Sequence, residues 1–523
     1  MTASSLNAIE LSLFVSRLEA VCDEMGAVLR NAALSPNIRD RLDFSCAVFD
    51  AEGALCAQAA HIPVHLGSMA FAMADLVGGR DWADGDMVIV NDPYLGGTHL
   101  PDVTIIAPVF ITGALVAFVV NRAHHADIGA STPGSMPISR TLLDEGVVIA
   151  PRHLLRGDRL DEAALAEITD VTRNPDHARG DFFAQVSANR AGRARVAELV
   201  DGLGVDVFRA GLEAMNAYAE RLARAALTEI PDGTYRYTDW MDDDGQGRCD
   251  IPISVTLRVR NGQIDCDFSG TGSQVPGNIN CPLAVAAAAV FYCLRCLMPP
   301  QTPACAGTLR PVRLQAPLGC LVNAERPAAV TAGNVETSTR IVDVVLGALA
   351  QPLPELIPAA SHGSMNNLAI GGELEGEGSG RAWDYYETIG GGMGAGKHGG
   401  GLSGVQTHMT NTLNTPIEVI ESHFPLRVMR YQLRPGSGGA GRRAGGDGLV
   451  REFECLAPAH ATLIGERRRH APWGLAGGAD GRPGEQWLNG RPLPAKVALG
   501  MVAGDRLRIE TPGGGGWGRA SNE

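Results

Sequence analysis

Asn91–His125 reads NDPYLGGTHLPDVTIIAPVFITGALVAFVVNRAHH, and its reading decides the fold around it. Two apolar runs, Thr104–Phe110 and Ala114–Val120, flank a short Ile111-Thr112-Gly113 turn, a pattern that predicts a β-hairpin. Pairing Phe110 with Ala114, without a bulge, sets Asp102 opposite Arg122 and Leu100 opposite His124. Asp102 and His124 then share a face at the open end. Strict alternation turns His99 to the other face, and it joins them only where Pro101 breaks the strand. Two imidazoles and a carboxylate gathered there form a site for a borderline divalent metal, Zn²⁺, Mn²⁺ or Fe²⁺. Three protein ligands leave coordination positions open for water, the catalytic arrangement. The alternative is a polar strand end whose histidines only hydrogen-bond to neighbours.

Working outward, Asn7–Ala33 predicts a long amphipathic helix. Leu11, Phe14, Leu18, Val21, Met25 and Val28 repeat at three and four residues, and Asn7 with Glu10 makes a capping-box start. Asp43–Asp50 and Ala54–Gln58 read as a hairpin, Gly67–Val77 as a helix, and Met87–Asn91 as a strand. Leu160–Val171, Arg190–Leu203 and Asp206–Glu229 read as helices. Pro231-Asp232-Gly233 is the first boundary signal. Ile251–Val259 and Gln263–Ser269 form a second hairpin around Arg260-Asn261-Gly262, and Leu283–Leu297 and Glu336–Leu349 are buried helices. From Pro425 the pattern turns β-rich and Gly-rich. The expected fold is α+β in three regions: a metal-bearing segment 1–230, a central α/β segment 231–424 with candidate substrate loops, and a β-rich segment 425–523.

The chain has 523 residues, more than one ordinary core holds. A net charge of −14 argues against nucleic acid or an anionic membrane as partner. No 18-residue apolar run suits a membrane span, and the first residues lack signal-peptide character. Eleven scattered cysteines then read as free thiols in a reducing cytoplasm. Cys293 and Cys296 sit in an apolar helical stretch with no second pair at zinc-ribbon spacing.

The same residues resemble a known family. The opening segment is similar to the signature of the hydantoinase B/oxoprolinase family, one subunit of ATP-dependent cyclic-amide hydrolases, and related acetone carboxylase subunits share it. Similar motifs run nearly end to end: HIPVHLGSM (His61–Met69), NRAHHADIG (Asn121–Gly129), PGSMP (Pro133–Pro137), GNVETSTRIVD (Gly333–Asp343) and YYETIGGGMG (Tyr385–Gly394). THMTNTLNTPIEVIE (Thr407–Glu421), APWGLAGG (Ala471–Gly478) and TPGGGGWG (Thr511–Gly518) continue them. The resemblance implies His99, Asp102 and His124 as metal ligands. Asp43 aligns with an acidic position near the metal, as a fourth ligand or a carboxylate that orients one. A hydantoinase A-like, sugar-kinase-like partner would bind ATP and Mg²⁺ and phosphorylate the amide oxygen of a lactam or hydantoin. Water made acidic at the metal would then attack the activated carbon. A ketone carboxylase subunit and a non-catalytic scaffold with a structural metal are the alternatives. The compact chain, without the long extra segments of acetone carboxylase large subunits, favours hydrolysis.

Other residues carry weaker signals. His408, Asn411 and Asn414 suit hydrogen bonding to an amide or carboxylate substrate, or a loop and helix cap. Asn334, Glu336, Thr337, Asn366 and Asn367 sit in similar contexts. His61 and His65 have i, i+4 spacing, but Pro63 argues against a regular helix there. Gly391 to Lys397 falls short of a phosphate loop, because His398 replaces the Ser or Thr that would hold Mg²⁺. Arg467-Arg468-Arg469 reads as a charge run or a set of salt-bridge partners.

Overall fold

The computed structural model describes residues 6–59, 62–374 and 381–520. The N-terminal periodicity becomes a helix over Ala8–Ala32, and the Asn7–Glu10 capping box is formed. The first sheet has seven strands: β1 (Phe44–Asp50), β2 (Leu55–Gln58), β3 (Met87–Val90), β4 (Asp102–Ile111), β5 (Ala114–His124), β6 (Arg152–Arg156) and β7 (Arg159–Leu160). Their order is β2-β1-β5-β4-β3-β6-β7, antiparallel throughout.

This sheet is covered on both faces. Val103, Ile105, Ala107 and Val109 of β4 pack with Phe14, Leu18 and Met25 of the first helix and with Phe182 and Val186 of a helix over Pro175–Leu203. On the other face Val90, Ile106, Phe118 and Val120 meet Met69, Met73 and Leu76 of a helix over Pro63–Val77. Double burial explains the continuous apolar runs, since neither face needs polar residues.

The hairpin register differs from the expected one. The turn has two residues, Thr112 and Gly113, both at positive φ (47° and 82°), so Ile111 pairs with Ala114. A bulge between Val109 and Phe110 then inserts one more residue on β5. The two shifts add, and Asp102 lies directly opposite His124 instead of Arg122, while Arg122 faces Thr104. A shift of two residues preserves the side-chain face, so Asp102 and His124 still point the same way. Pro63 is a second correction. It stands in the first turn of the Pro63–Val77 helix, where a missing N–H costs nothing, and so begins the helix. His61 lies outside the described residues.

The second sheet, ordered β11-β10-β9-β8, contains β8 (Gly233–Asp243), β9 (Cys249–Arg260), β10 (Gln263–Asp267) and β11 (Val312–Gln315). Asn261 and Gly262 close the β9–β10 hairpin at positive φ, as the Asn-Gly pair predicts. Helices Leu283–Arg295 and Ser338–Leu349 share its core. The Leu283–Arg295 helix also lies hard against the Pro63–Val77 helix. A Cβ on Gly67 would stand 2.5 Å from Ala288 Cα, so this crossing needs glycine.

Nine further strands are β12 (Asn367–Leu374), β13 (Arg381–Glu387), β14 (Leu426–Arg434), β15 (Gly448–Cys455), β16 (Ala459–Ile464), β17 (Glu485–Leu488), β18 (Arg491–Pro492), β19 (Lys496–Met501) and β20 (Arg506–Glu510). They form two sheets, β13-β12-β16-β19 and β14-β15-β20-β17-β18, which share a core of Leu368, Tyr385, Leu463, Phe453 and Leu507. The first of these sheets draws strands from both sides of residue 425. Four glycine-rich segments lie backbone to backbone beside them. Gly446 N–H donates to the Met393 carbonyl, Gly514 N–H to Gly446, and Gly439 N–H to Gly514. A Cβ on Gly446 would meet the Leu402 carbonyl oxygen at 1.9 Å. Among the described residues no helix is long and apolar enough to cross a membrane.

Candidate metal centre

β4 and β5 present Asp102 and His124 as a directly opposed pair at the open end of the hairpin. Pro101 keeps the residues before Asp102 out of the strand. A turn, with Asp102 N–H donating to the His99 carbonyl at 3.1 Å, brings His99 back to the same side. One ligand atom from each of His99, Asp102 and His124 lies within 4.8 Å of the other two, and all three residues are buried. His99 Nε2, Asp102 Oδ1 and His124 Nε2 are enclosed by protein without a well-formed hydrogen bond; His99 Nε2 and Asp102 Oδ1 lie 3.4 Å apart, within ion-pair reach of each other. Unpaired buried polar atoms are costly. Three of them converging, two imidazole nitrogens and a carboxylate oxygen, fit a divalent cation.

The rest of each ligand is already held. Asp102 Oδ2 accepts from Thr98 Oγ1 at 2.6 Å and from Asn334 Nδ2 at 3.2 Å, with His65 Nε2 also at 3.2 Å. His99 Nδ1 lies 3.2 Å from the Thr331 carbonyl, which places its proton there and leaves the Nε2 lone pair free. Glu145 Oε1 fixes that carbonyl's segment by accepting from Val330 and Thr331 N–H, each at 2.9 Å. His124 stacks face to face on Tyr386, with centroids 4.9 Å apart, and the Tyr386 hydroxyl donates to Asn367 Oδ1 at 2.7 Å. The Asn37 amide lies 3.4 Å from His124 Nδ1.

The electrostatics suit ligation. Burial would raise the Asp102 carboxyl, but His65 and His99 beside it hold it well below the usual range, so it is ionised. Burial, then the neighbouring His99, push the His124 pKa well down and keep that ring neutral. For His99 burial works downward and is the largest single influence, but the Asp102 charge and hydrogen bond together with the Thr331 carbonyl outweigh it, and the net shift is upward.

Asp43 adjoins this group through its backbone, whose carbonyl accepts from His124 N–H at 3.0 Å. Its carboxylate is 3.7 Å from the Arg41 guanidinium, and burial raises its pKa against the opposing pull of Arg41. Among the described residues, His408, Asn411 and Asn414 make no hydrogen bond to the triad. His408 Nδ1 is 3.2 Å from the Tyr292 hydroxyl. Asn411 lines a cavity of about 290 Å³ with Tyr292 and Gly67, and Asn414 donates to Glu387 at 2.7 Å. Lys397 pairs with Glu355 at 2.7 Å. Arg467 is buried against Asp239 and Asp343, and Arg469 meets Asp250 at the surface.

Thr98, Thr331, Glu145 and Tyr386 support the triad but were not visible in the sequence. Only Thr98, four residues before Asp102, carried a local signal. The others reach the ligands from distant segments.

A mixed α+β chain closed around a His-Asp-His triad defines a recognisable class of protein. Residues 7–520 match the pattern of the hydantoinase B/oxoprolinase family, and the chain belongs to that family. It is 38% identical to 5-oxoprolinase 1 of Arabidopsis thaliana over 98% of its own length and 42% of that protein's, so it corresponds to less than half of that longer chain. It is 32% identical to a D-/L-hydantoinase component from Pseudomonas sp. (strain NS671), covering 98% of this chain and 90% of that one. The structure superposes on the ATP-dependent caprolactamase from Pseudomonas jessenii with a TM-score of 0.91 at 28% identity, over 99% of this chain and 92% of that one. An acetone carboxylase shares the fold, with a TM-score of 0.87 at 19% identity, over 98% of this chain and 76% of that one.

Proposed function

We propose that this chain is the metal-bearing subunit of an ATP-dependent hydrolase that opens a cyclic amide. The observation that carries this reading is the convergence of three buried side chains of metal-ligating type, His99, Asp102 and His124, on a ready-made support. The relatives named for 5-oxoproline, hydantoin and caprolactam supply the substrate class. The carboxylase likeness is one of fold alone at 19% identity, so hydrolysis is preferred.

His99, Asp102 and His124 would hold the cation. A divalent cation there supplies Lewis-acid chemistry, which acidifies water and polarises an oxygen. The chain's own residues do the rest. Thr98, His65 and Asn334 hold Asp102 so that its other oxygen faces inward. Thr331 fixes the His99 tautomer. Asp43, with its carboxyl pKa raised by burial, takes the proton released from water. The enclosure of the triad keeps bulk water from an activated intermediate, and covering segments must open to admit it.

An amide is resonance-stabilised, so its oxygen must be activated before water attacks. No phosphate cradle is found around Lys397, whose ammonium is taken by Glu355. Activation is therefore assigned to a hydantoinase A-like partner that binds ATP and Mg²⁺, in the reducing cytoplasm. Co-expression with such a partner tests the reading. ATP-dependent ring opening of hydantoin, 5-oxoproline or a simple lactam should appear in the pair and in neither protein alone. Full-rate opening by this chain without ATP would replace the coupled mechanism with a self-contained amidohydrolase.

A further inference from the structure

We propose that Asn334 accepts the ring N–H of the cyclic amide, and so selects amides locked in the cis form. The proposal rests on the reading that a cyclic amide is opened at the triad.

Asn334 stands in a single π-turn, Gly333–Thr337, that opens the Ser338–Leu349 helix. Such wide turns recur at functional sites. Its Nδ2 donates to Asp102 Oδ2 at 3.2 Å. An ionised carboxylate cannot donate, so this contact fixes which end of the side-chain amide faces Asp102. The other end, Oδ1, is buried, and no donor among the described residues reaches it. Leaving a buried acceptor in this state is unfavourable. Flipping would set the amide oxygen against the Asp102 carboxylate, and the backbone that carries the side chain is pinned. Val330 and Thr331 N–H groups go to Glu145, and Ala332 and Gly333 N–H groups to the Asn278 carbonyl at 2.9 and 3.1 Å. Gly333 is pressed so close to Asn280 that a Cβ would stand 1.9 Å from its carbonyl oxygen. The acceptor is preset beside Asp102 and lacks only a donor brought from outside the chain.

The chemistry of the substrate class supplies that donor. Ring closure forces the C–N bond of a small lactam or hydantoin into the cis form, so its C=O and N–H lie along one edge. An open-chain secondary amide is trans and presents them on opposite sides. With its N–H on Asn334 Oδ1, a cyclic amide, or the O-phosphorylated iminium form that keeps this N–H, turns its C–O edge toward Asp102 and the two imidazoles. A trans amide cannot meet both groups. Asn334 would thus be read twice, once by the metal ligand and once by the substrate.

The test uses the metal-loaded protein with its ATP-binding partner, without ATP. It is titrated with 2-pyrrolidinone, δ-valerolactam and ε-caprolactam, each beside its N-methyl counterpart. Wild type should bind at least one N–H lactam about tenfold tighter than its N-methyl twin, the worth of one hydrogen bond. Asn334→Leu should bring that ratio close to one, by weakening the N–H lactam about tenfold more than the N-methyl form. Elemental analysis of the variant reports any loss of metal separately. Equal weakening of both twins would mean that Asn334 only supports the fold or the ligand, and would overturn the proposal. Equal binding of the twins by wild type, a result that needs no variant, would also overturn it. ATP-dependent ring opening, measured in parallel, would still stand in either case. Wild type that binds no lactam and opens none would remove both the proposal and the reading beneath it.

Discussion

Asp102 divides its two oxygens between two tasks, and this division sets what single substitutions should do. Oδ2 accepts hydrogen bonds from the protein, whereas Oδ1, 3.4 Å from His99 Nε2, is on the proposed reading the oxygen that a cation would take. Asp102→Asn keeps the size but loses the charge, and His124→Ala removes one nitrogen. Each should lower bound metal from about one per chain to a small fraction, measured by elemental analysis after gel filtration. Metal content in His124→Ala equal to wild type would strike His124 from the ligands. Protons compete with the cation at His99, whose pKa the Asp102 charge raises despite burial. Metal affinity should therefore fall as pH drops through the range where His99 takes a proton, and a competition titration from pH 8 to pH 5.5 would follow it. Glu336 supplies a stability test. Its carboxyl, pushed up to about 8 by burial and then by Glu466, accepts from Asn367 and the Met365 N–H. A carboxyl raised in the folded state favours folding while protonated, so its share of stability is lost as pH rises from the unfolded carboxyl range through about 8. Glu336→Gln should fold and lose much of that alkaline decline, worth up to a few kcal/mol. Thermal melts of both proteins at pH 5 and pH 9 would show whether the decline belongs to this residue.

At the scale of elements, the hairpin shows how far the sequence could be read. Apolar runs and a Thr-Gly turn marked β4 and β5, and alternation put Asp102 and His124 on one face. The exact pairing was hidden, because the Val109/Phe110 bulge leaves no mark in the side-chain pattern. His99 was ambiguous for a physical reason: only the turn after it, visible once Pro101 is seen to stay out of the strand, decides its side. Pro63 misled because proline breaks helix interiors but suits helix starts. Thr331 and Tyr386 were out of reach, and Asn334 was legible only as a weaker substrate-loop candidate, since their contacts with the triad span more than two hundred residues of chain. The glycine segments pack backbone to backbone, and they give a sharp test. Gly446→Ala drives a methyl onto the Leu402 carbonyl and should cost about 2–4 kcal/mol in denaturant unfolding. Gly500→Ala meets nothing within 4 Å and should stay within about 0.5 kcal/mol of wild type. Similar losses for both would mean that the glycine stack tolerates side chains.

For the whole molecule, the triad is assembled from parts that no single region owns. The hairpin gives the ligands, the Pro63–Val77 helix gives His65, the π-turn gives Asn334, and β13 of the C-terminal sheets gives Tyr386. The chain should bind no ATP by itself: calorimetric titration of the isolated protein should give no heat of binding, and micromolar affinity would contradict the division of labour with a partner. The support around the triad has one more consequence. Every contact that orients His99, Asp102 and His124 is made by protein, and none waits for a cation to create it. A cation enters a finished seat and does not have to organise one. Where the affinities of divalent ions for such a seat are close, their supply decides which one fills it. The ion recovered with the purified protein will record the supply in the growth medium. Two preparations of one sequence can differ in activity through their metallation history alone, and comparisons of variants are sound only after stripping and reloading with a defined ion.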